Sequence, residues 1–391
     1  MDVLMLVISN VAHDARVLRE ATALAERGHA VHIVGRDVPA GWSAPDGVSV
    51  QSVSGGTGLK AGGSGGGPRR RRPVLGRVRG LARWALLPQH RRRVWHTWND
   101  QARAAVADRR FDVVHAHDFN VLRLAAELAD RGRAKLVYDS HEWWSGRERH
   151  GRPTPIERSR EKRTERQLVA RADAVLTVSE GIAARLGQWR TGPVVVVRNT
   201  FPLLSSPDEI AELPERPRGV VYAGRIGAAR DIETLLLAAA DLGLETLLMG
   251  NADREYLPKL RGFDANVRIE PARPVDEVDE VLRRVGISMV TLTDSCENHR
   301  LALPNKVFHA VRAGVPVVAA DLPELRRLVT AYGIGALYRP GDAASLRRAL
   351  ETVAADYPGL CARARRARAE LTWEQDAKEL VKVYDTLAGA R

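Results

Sequence analysis

The chain has 391 residues, 45% of them apolar and 28% charged, with a formal net charge of +12. At roughly 150 residues per domain it is long enough for two hydrophobic cores. Residues 68–110 hold 13 Arg against only Asp100 and Asp108, a local excess of +11, so the remainder is nearly neutral, which argues against a general nucleic-acid-binding surface and for one local basic element.

In chain order, the first 200 residues alternate short β-branched runs with helical patterns, as in a parallel sheet with crossover helices. Strands are predicted at Val3–Ser9, Ala30–Gly35, Val48–Val53, Asp112–His117, Lys135–Ser140, Ala174–Ser179 and Val194–Arg198. Asp14–Arg27 carries Val17, Leu18, Ala21 and Leu24 on one helical face, and Ile156–Ala170 reads as a charged amphipathic helix. Residues 54–68 contain eight Gly and read as a mobile loop, which leads into the Arg-rich stretch Arg69–Arg93. The pattern breaks at Asn199-Thr200-Phe201-Pro202 and stays Pro-rich and acidic to Pro217, as expected of an interdomain linker.

A second α/β series follows, with strands expected at Gly219–Gly224, Glu245–Gly250, Val267–Glu270, Ile287–Leu292, Pro316–Ala320 and Ala336–Tyr338. Its helices are expected at Asp231–Asp241, Val275–Arg284, Asn305–Ala313 and Ala343–Ala355. A last helix, from about Glu374 to Leu387, repeats Leu380, Val381, Tyr384 and Leu387 at helical spacing and needs a surface to dock on. The expected domains are 1–200, with 54–93 as an insert and 374–391 completing it, and 201–373.

No apolar run approaches the ~20 residues that span a bilayer, and the N-terminus opens on strand-like Val3–Ile8 without a basic leader, so a cytoplasmic protein is expected. Cys296 and Cys361 are the two cysteines, and there is no Cys-x-x-Cys and no His cluster at metal-ligand spacing, which disfavours disulfides or structural zinc.

The turn after the first strand, Ser9-Asn10-Val11-Ala12-His13-Asp14-Ala15-Arg16, has no glycine to admit a pyrophosphate, and Gly224-Arg225-Ile226-Gly227 is not a G-x-G-x-x-G. Dinucleotide binding is therefore not expected. The second series instead places Gly224, Arg225 and Arg230 at a strand C-terminus, where an open parallel sheet binds ligands and Arg forks suit a diphosphate. In Leu303-Pro304-Asn305-Lys306-Val307-Phe308-His309-Ala310-Val311-Arg312-Ala313-Gly314-Val315-Pro316-Val317-Val318, Pro304 marks a helix start whose free N–H groups near Asn305 and Lys306 suit an anion.

This last segment resembles the Pro-Asn-Lys-x-Phe-Glu-x-x-x-Ala-Gly-x-Pro-Val-Val block of family-4 retaining glycosyltransferases. Similar to the same family are Asp14-Ala15-Arg16-Val17-Leu18-Arg19-Glu20-Ala21 with Ala25–His29, His115-Ala116-His117-Asp118, Tyr138-Asp139-Ser140-His141-Glu142, and Gly224-Arg225 with Arg230, in the family's order. The resemblance implies a GT-B fold, two Rossmann-like parallel-sheet domains facing a cleft, with the C-terminal helix docking back on the N-terminal domain. It implies that His141 faces the donor sugar, that Arg225 and Arg230 hold the donor diphosphate, and that Asn305 and Lys306 lie beneath the phosphates. Glu297 or Asn298 would meet donor-sugar hydroxyls. Where the family has a ribose-binding Glu this chain has His309, which offers one acceptor nitrogen at most; either nucleotide binding differs here or His309 only lines the cleft.

Asn10, His13, Asp14, Arg16, His117 and Asp118 sit at strand ends and are expected to face the acceptor, although Asp14 fits a helix N-terminal role equally well. Asp139, Glu142, Trp143 and Trp144 extend this rim, and the two tryptophans either stack on a sugar or pack. With no Asp-x-Asp in the chain, cations and a helix end would replace a metal, so metal-independent transfer from a nucleotide sugar with no cofactor is expected, and the resemblance implies retention. The acceptor is a sugar, a lipid-linked or a small molecule. Residues 69–98 interleave Arg with Leu81, Trp84, Leu87, Trp95 and Trp98, which fits either a helix on an anionic membrane or a charged helix with its Trp residues in the core. The rival functions are a GT-B nucleotide-sugar epimerase and a non-catalytic binding protein.

Overall fold

The computed structural model describes residues 1–39, 41–53, 95–148, 155–203, 213–260, 262–263 and 266–389. The Gly-rich and Arg-rich insert, and with it most of the segment 69–98 weighed for membrane contact, lies outside the described residues. Two compact units emerge: Met1–Leu176 with Arg185–Val195 and Leu380–Arg391, and Thr177–Ala184 with Val196–Glu379.

The first unit is built on a seven-stranded sheet of β1 (Asp2–Asn10), β2 (Ala30–Arg36), β3 (Val48–Ser52), β4 (Val113–His117), β5 (Lys135–Ser140), β6 (Ala174–Thr177) and β7 (Val194–Val196). Their order is β3-β2-β1-β4-β5-β6-β7. The pairings β1–β2, β1–β4, β2–β3 and β4–β5 are all parallel. Residues Val3 to Leu6 are fully buried, the uninterrupted apolar run expected of a central strand covered on both faces. Helix Ala15–Glu26 follows β1 and presents buried Val17, Ala21 and Leu24. Helix Phe119–Gly132, which the sequence pattern leaves unassigned, packs on β4 and β5 through buried Val121, Leu122, Leu124 and Ala125.

The second unit carries β8 (Gly219–Ala223), β9 (Glu245–Met249), β10 (Val267–Glu270), β11 (Gly286–Val290), β12 (Val317–Ala320) and β13 (Gly335–Tyr338). Their order is β10-β9-β8-β11-β12-β13, with every pairing parallel. In both sheets the strand order reverses direction beside the first strand, between β1 and β4 and between β8 and β11. At such a switch point the two crossover connections leave in opposite directions and open a crevice beyond the strand C-termini. In open sheets of this kind ligands bind at that edge, which here is formed by the loops after β1, β4, β8 and β11.

The C-terminal helix, Trp373–Gly389, belongs to both units. Asp376 takes hydrogen bonds from Arg198 Nε at 2.9 Å and Thr200 Oγ1 at 2.5 Å in the second unit. Leu380 and Tyr384 are fully buried in the first, where Tyr384 Oη lies 2.9 Å from His115 Nδ1. Residues 95–105 are helical, and Trp98 at 0% exposure packs in the core, which settles the role of that tryptophan in favour of packing. Among the described residues no helix is long and apolar enough to cross a membrane.

Candidate functional site

In the first unit the switch point is filled by a buried polar cluster. Arg16 is the second residue of its helix, where it is buried, and its guanidinium forks onto Asp139 at the end of β5, Nε to Oδ2 at 2.8 Å and Nη2 to Oδ1 at 2.7 Å. Its Nε is also 3.0 Å from Glu20 Oε1, four residues along the same helix. Asp139 Oδ2 further accepts from His141 Nε2 at 2.7 Å and faces His117 Nδ1 at 3.2 Å. Burial alone would raise the Asp139 carboxyl, but Arg16, His141 and the hydrogen bonds from both imidazoles outweigh it and hold Asp139 well below the usual carboxylate range. Burial likewise works against a charge on His141, yet Asp118 and Asp139 raise it to about 10. The imidazole is therefore a cation at neutral pH.

His115 and His117 alternate with Ala116 along β4, so both rings stand on one face and stack at 4.3 Å between centroids. Burial pushes His115 well down and raises Glu20, the latter opposed by Arg16. Glu20, His115, His117 and Asp139 bring ligand atoms within 4.8 Å of one another. Sequence spacing shows no metal-type cluster, because two of these groups come from distant elements. Arg16 lies against both carboxylates of the group, forked onto Asp139 and 3.0 Å from Glu20.

Several expected acceptor contacts are thereby redirected. Arg16 (5% exposed) and His117 (1%) are inside the cluster and not on a rim. Asp14 is the N-cap of helix Ala15–Glu26, taking Val17 N–H at 3.3 Å, while its other oxygen accepts from Ser9 Oγ at 2.6 Å. Asn10 Oδ1 caps the short turn Val11–His13 through Ala12 N–H. His13 is exposed, and Asp118 stays partly exposed beside His141. Trp143 and Trp144 are both buried: the first packs on Trp189 at 4.9 Å, and the second lies on Phe119 at 5.1 Å with Arg147 over its face. Packing, not sugar stacking, is their role.

In the second unit the loop after β8 is pinned by its own backbone. Asp231 adopts a left-handed φ of +54° and anchors the turn, accepting from Thr234 Oγ1, Tyr338 Oη and Gly341 N–H. The carbonyl of Ala229 takes both the N–H and the hydroxyl of Thr293, tying this loop to the one after β11. Arg230 lies between these anchors.

Lys306, on the first turn of helix Asn305–Ala313, places Nζ 4.6 Å from the centre of the Tyr222 ring. Gly224 (φ +153°) makes room for it: a Cβ there would stand 2.7 Å from Nζ and 2.9 Å from Cε. Burial, with Arg230 adding like charge, pushes Lys306 down to about 7. Among the described residues neither Lys306 nor Arg230 has a carboxylate partner, and no side chain caps the helix that begins at Asn305. Arg225 is different: its Nε and Nη2 both donate to Asp253 Oδ1, at 3.1 and 2.8 Å. Glu297 and Asn298 open the short helix Glu297–Leu301, both partly buried.

Residues 13–200 match the glycosyl transferase 4-like domain, and residues 217–356 match the glycosyl transferases group 1 domain. The chain belongs to the GT-B glycosyltransferases. It is 26% identical over 197 residues to the phosphatidyl-myo-inositol mannosyltransferase of Mycobacterium leprae (strain TN), a stretch that is 47% of this chain and 51% of that protein, so the match spans about half the length of the curated relative. Among solved structures, sucrose-phosphate synthase from Thermosynechococcus elongatus superposes with a TM-score of 0.73 at 17% identity over 100% of both chains. Anabaena HepE in complex with UDP-glucose superposes with a TM-score of 0.69 at 16% identity over 99% of this chain and 100% of that one.

His309 stands where the sequence block that its segment resembles carries a Glu. The imidazole is 9% exposed, its Nδ1 is 2.8 Å from Asp279 Oδ1, and its ring lies 4.2 Å from that of Phe201. Arg312, one turn on, donates to Asp279 Oδ2 at 2.7 Å and to the Pro202 carbonyl at 3.0 Å. Asp279 is fully buried on helix Val275–Val285 and is held by this pair of side chains. A glutamate at 309 would confront that carboxylate, so the histidine is the partner Asp279 requires. Sequence reasoning missed Asp279, Glu20 and the hub role of Asp139. The spacing Arg16–Glu20 and the alternation His115–His117 were the legible traces of the last two.

Proposed function

We propose that the protein transfers a hexosyl or N-acetylhexosaminyl group from a nucleoside diphosphate sugar to an acceptor hydroxyl, with retention of configuration and without a metal ion. The observation that supports this most directly is the pair Lys306 and Arg230. Two cations without carboxylate partners among the described residues stand at the switch point of the second sheet, beside an uncapped helix start. A lysine depressed to about 7 by burial and a neighbouring arginine is a group waiting for negative charge, and a diphosphate supplies it.

Breaking the bond between a sugar and a diphosphate develops positive charge at the anomeric carbon and negative charge on the departing phosphate. In this reading Lys306, Arg230 and the N–H groups at Asn305 stabilise the leaving group, with Gly224 keeping the lysine in place. Arg225 joins them on release from Asp253. Glu297 and Asn298 are assigned to hydroxyls of the transferred sugar, and His141 to the sugar as a fixed cation. His13, which is exposed, and Asp118, which is partly exposed, are assigned to the acceptor, which is a sugar, a lipid-linked or a small molecule.

UDP is the first nucleotide to test, since HepE has been crystallised with UDP-glucose. A ligand at 100 times its Kd stabilises the fold by about 2.7 kcal/mol, enough to move the melting temperature. One of UDP, GDP, ADP and dTDP is expected to do so, and Lys306→Ala and Arg230→Ala to abolish the shift. A shift that survives both substitutions refutes the donor site. Turnover lost on adding EDTA and restored by Mg²⁺ or Mn²⁺ refutes the metal-free mechanism.

A further inference from the structure

We propose that Asp139 is the positioning residue for His141: clamped from behind by Arg16, it accepts the hydrogen bond of the Nε2–H group and leaves the Nδ1 edge of the imidazole for a substrate oxygen. The inference rests on the assignment of His141 to a sugar substrate.

The geometry is that of a rigid hub with one exposed spoke. Asp139 is fully buried and both of its oxygens are occupied, Oδ1 by Arg16 Nη2 and Oδ2 by Arg16 Nε and His141 Nε2, with His117 Nδ1 alongside. A two-bond guanidinium fork fixes the plane of the carboxylate, and the carboxylate then fixes the plane of the ring. His141 retains 18% exposure. Its backbone N–H donates to Asp118 Oδ1 at 3.1 Å, and Asp118 in turn has a left-handed φ of +68° with its own N–H on the Asp139 carbonyl. The loop after β4 and the end of β5 are thus locked together around this one imidazole.

The Nδ1 side differs from the Nε2 side. Asp118 Oδ2 lies 3.5 Å from Nδ1, at the limit of a hydrogen bond, so the Nδ1 proton is attracted but not consumed. The charged and titratable groups around the ring are Asp139 on β5, Asp118, His117 and His115 on or just after β4, and Arg16 and Glu20 on the first helix. Glu142 and Arg147 act on Asp118 from the following loop. Carboxylates face both ring nitrogens, so neither keeps a lone pair. A ring in this setting donates hydrogen bonds and presents positive charge; it does not abstract a proton.

The test begins with the ligand-free wild-type protein, in which ¹⁵N spectra of the histidine ring report protonation independently of turnover. His141 is expected to remain doubly protonated through pH 8, and in Asp139→Asn to titrate at a lower pH than in the wild type, with kcat for sugar transfer at least tenfold lower and donor KM less affected. Arg16→Lys, which keeps the charge and loses the fork, serves if Asp139→Asn does not fold and is expected to lower kcat in the same direction. A wild-type ring that is singly protonated at pH 7 overturns the inference. So does an unchanged kcat and pH profile in both variants. If the wild type binds no nucleoside diphosphate, the functional reading falls, while the nitrogen spectra still decide the state of the ring.

Discussion

Gly224→Ala tests the donor pocket through an atom that touches no ligand. The added Cβ would sit 2.7 Å from Lys306 Nζ and 2.9 Å from Cε, whereas nonbonded contacts settle near 3.5–4.0 Å, so the lysine tip must retreat by about 1 Å. The backbone at φ +153° is also one that an alanine tolerates poorly, at a cost of about 1–3 kcal/mol in stability. A displaced Lys306 loses its charge-assisted contact to the diphosphate, worth about 1.5–3 kcal/mol, which corresponds to a roughly 10- to 150-fold weaker Kd. Titration calorimetry with UDP, or whichever diphosphate the thermal screen selects, measures the Kd, and a melt measures the strain. The decisive comparison is a double-mutant cycle with Lys306→Ala. If Gly224 acts through the lysine, Gly224→Ala weakens binding in the wild-type background and has little further effect once the lysine is gone. An equal loss in both backgrounds, or none in either, refutes the argument.

Further outcomes follow from charged groups elsewhere in the fold. Lys306 sits at about 7 in the free protein, so diphosphate affinity is expected to fall as pH rises from 6 to 9, with proton uptake on binding; Lys306→Arg should flatten that dependence in calorimetry, because Arg stays charged throughout. His309→Glu would set a carboxylate against Asp279 in a buried site and is expected to cost about 3–5 kcal/mol, lowering the melting temperature by about 6–20 °C, with Asp279→Asn in the same chain recovering most of it. Glu165 is raised by burial from 4.5 to about 7, so between those values the unfolded chain ionises while the folded one keeps its proton, and stability is lost as pH rises through that window. Glu165→Gln, which leaves the acceptor of the Tyr138 hydroxyl in place, should therefore stabilise by about 3 kcal/mol at pH 8 and by little at pH 4.5 in denaturant titrations.

Much of the fold was legible because it is written in local periodicity. Alternating β-branched runs and 3.6-residue patterns predicted the strand series of both sheets to within a residue or two, and Pro304 marked the start of the helix Asn305–Ala313. The helices Phe119–Gly132, Glu180–Gly187, Pro323–Tyr332 and Tyr357–Ala367 were missed or left unassigned; alanine and charge dominate several of them, and packing supplies what their patterns lack. The glycines and cations at strand ends were also legible, since a parallel sheet presents those positions at its ligand-binding edge.

What the linear chain determined is therefore which residues reach the two switch points; tertiary structure decided what each does there. Arg16 and Asp139 are 123 positions apart, and only the order β1-β4-β5 makes them a buried pair around which His117 and His141 are set. In the same way Asp253 claims Arg225, Asp279 claims His309, Asp14 becomes a cap, and Trp143 and Trp144 become core. Local sequence encodes backbone geometry and burial face, because both depend on neighbours within a few residues. The protonation and partner of a side chain depend on charges brought in from other elements, and those are set only when the sheet closes around them.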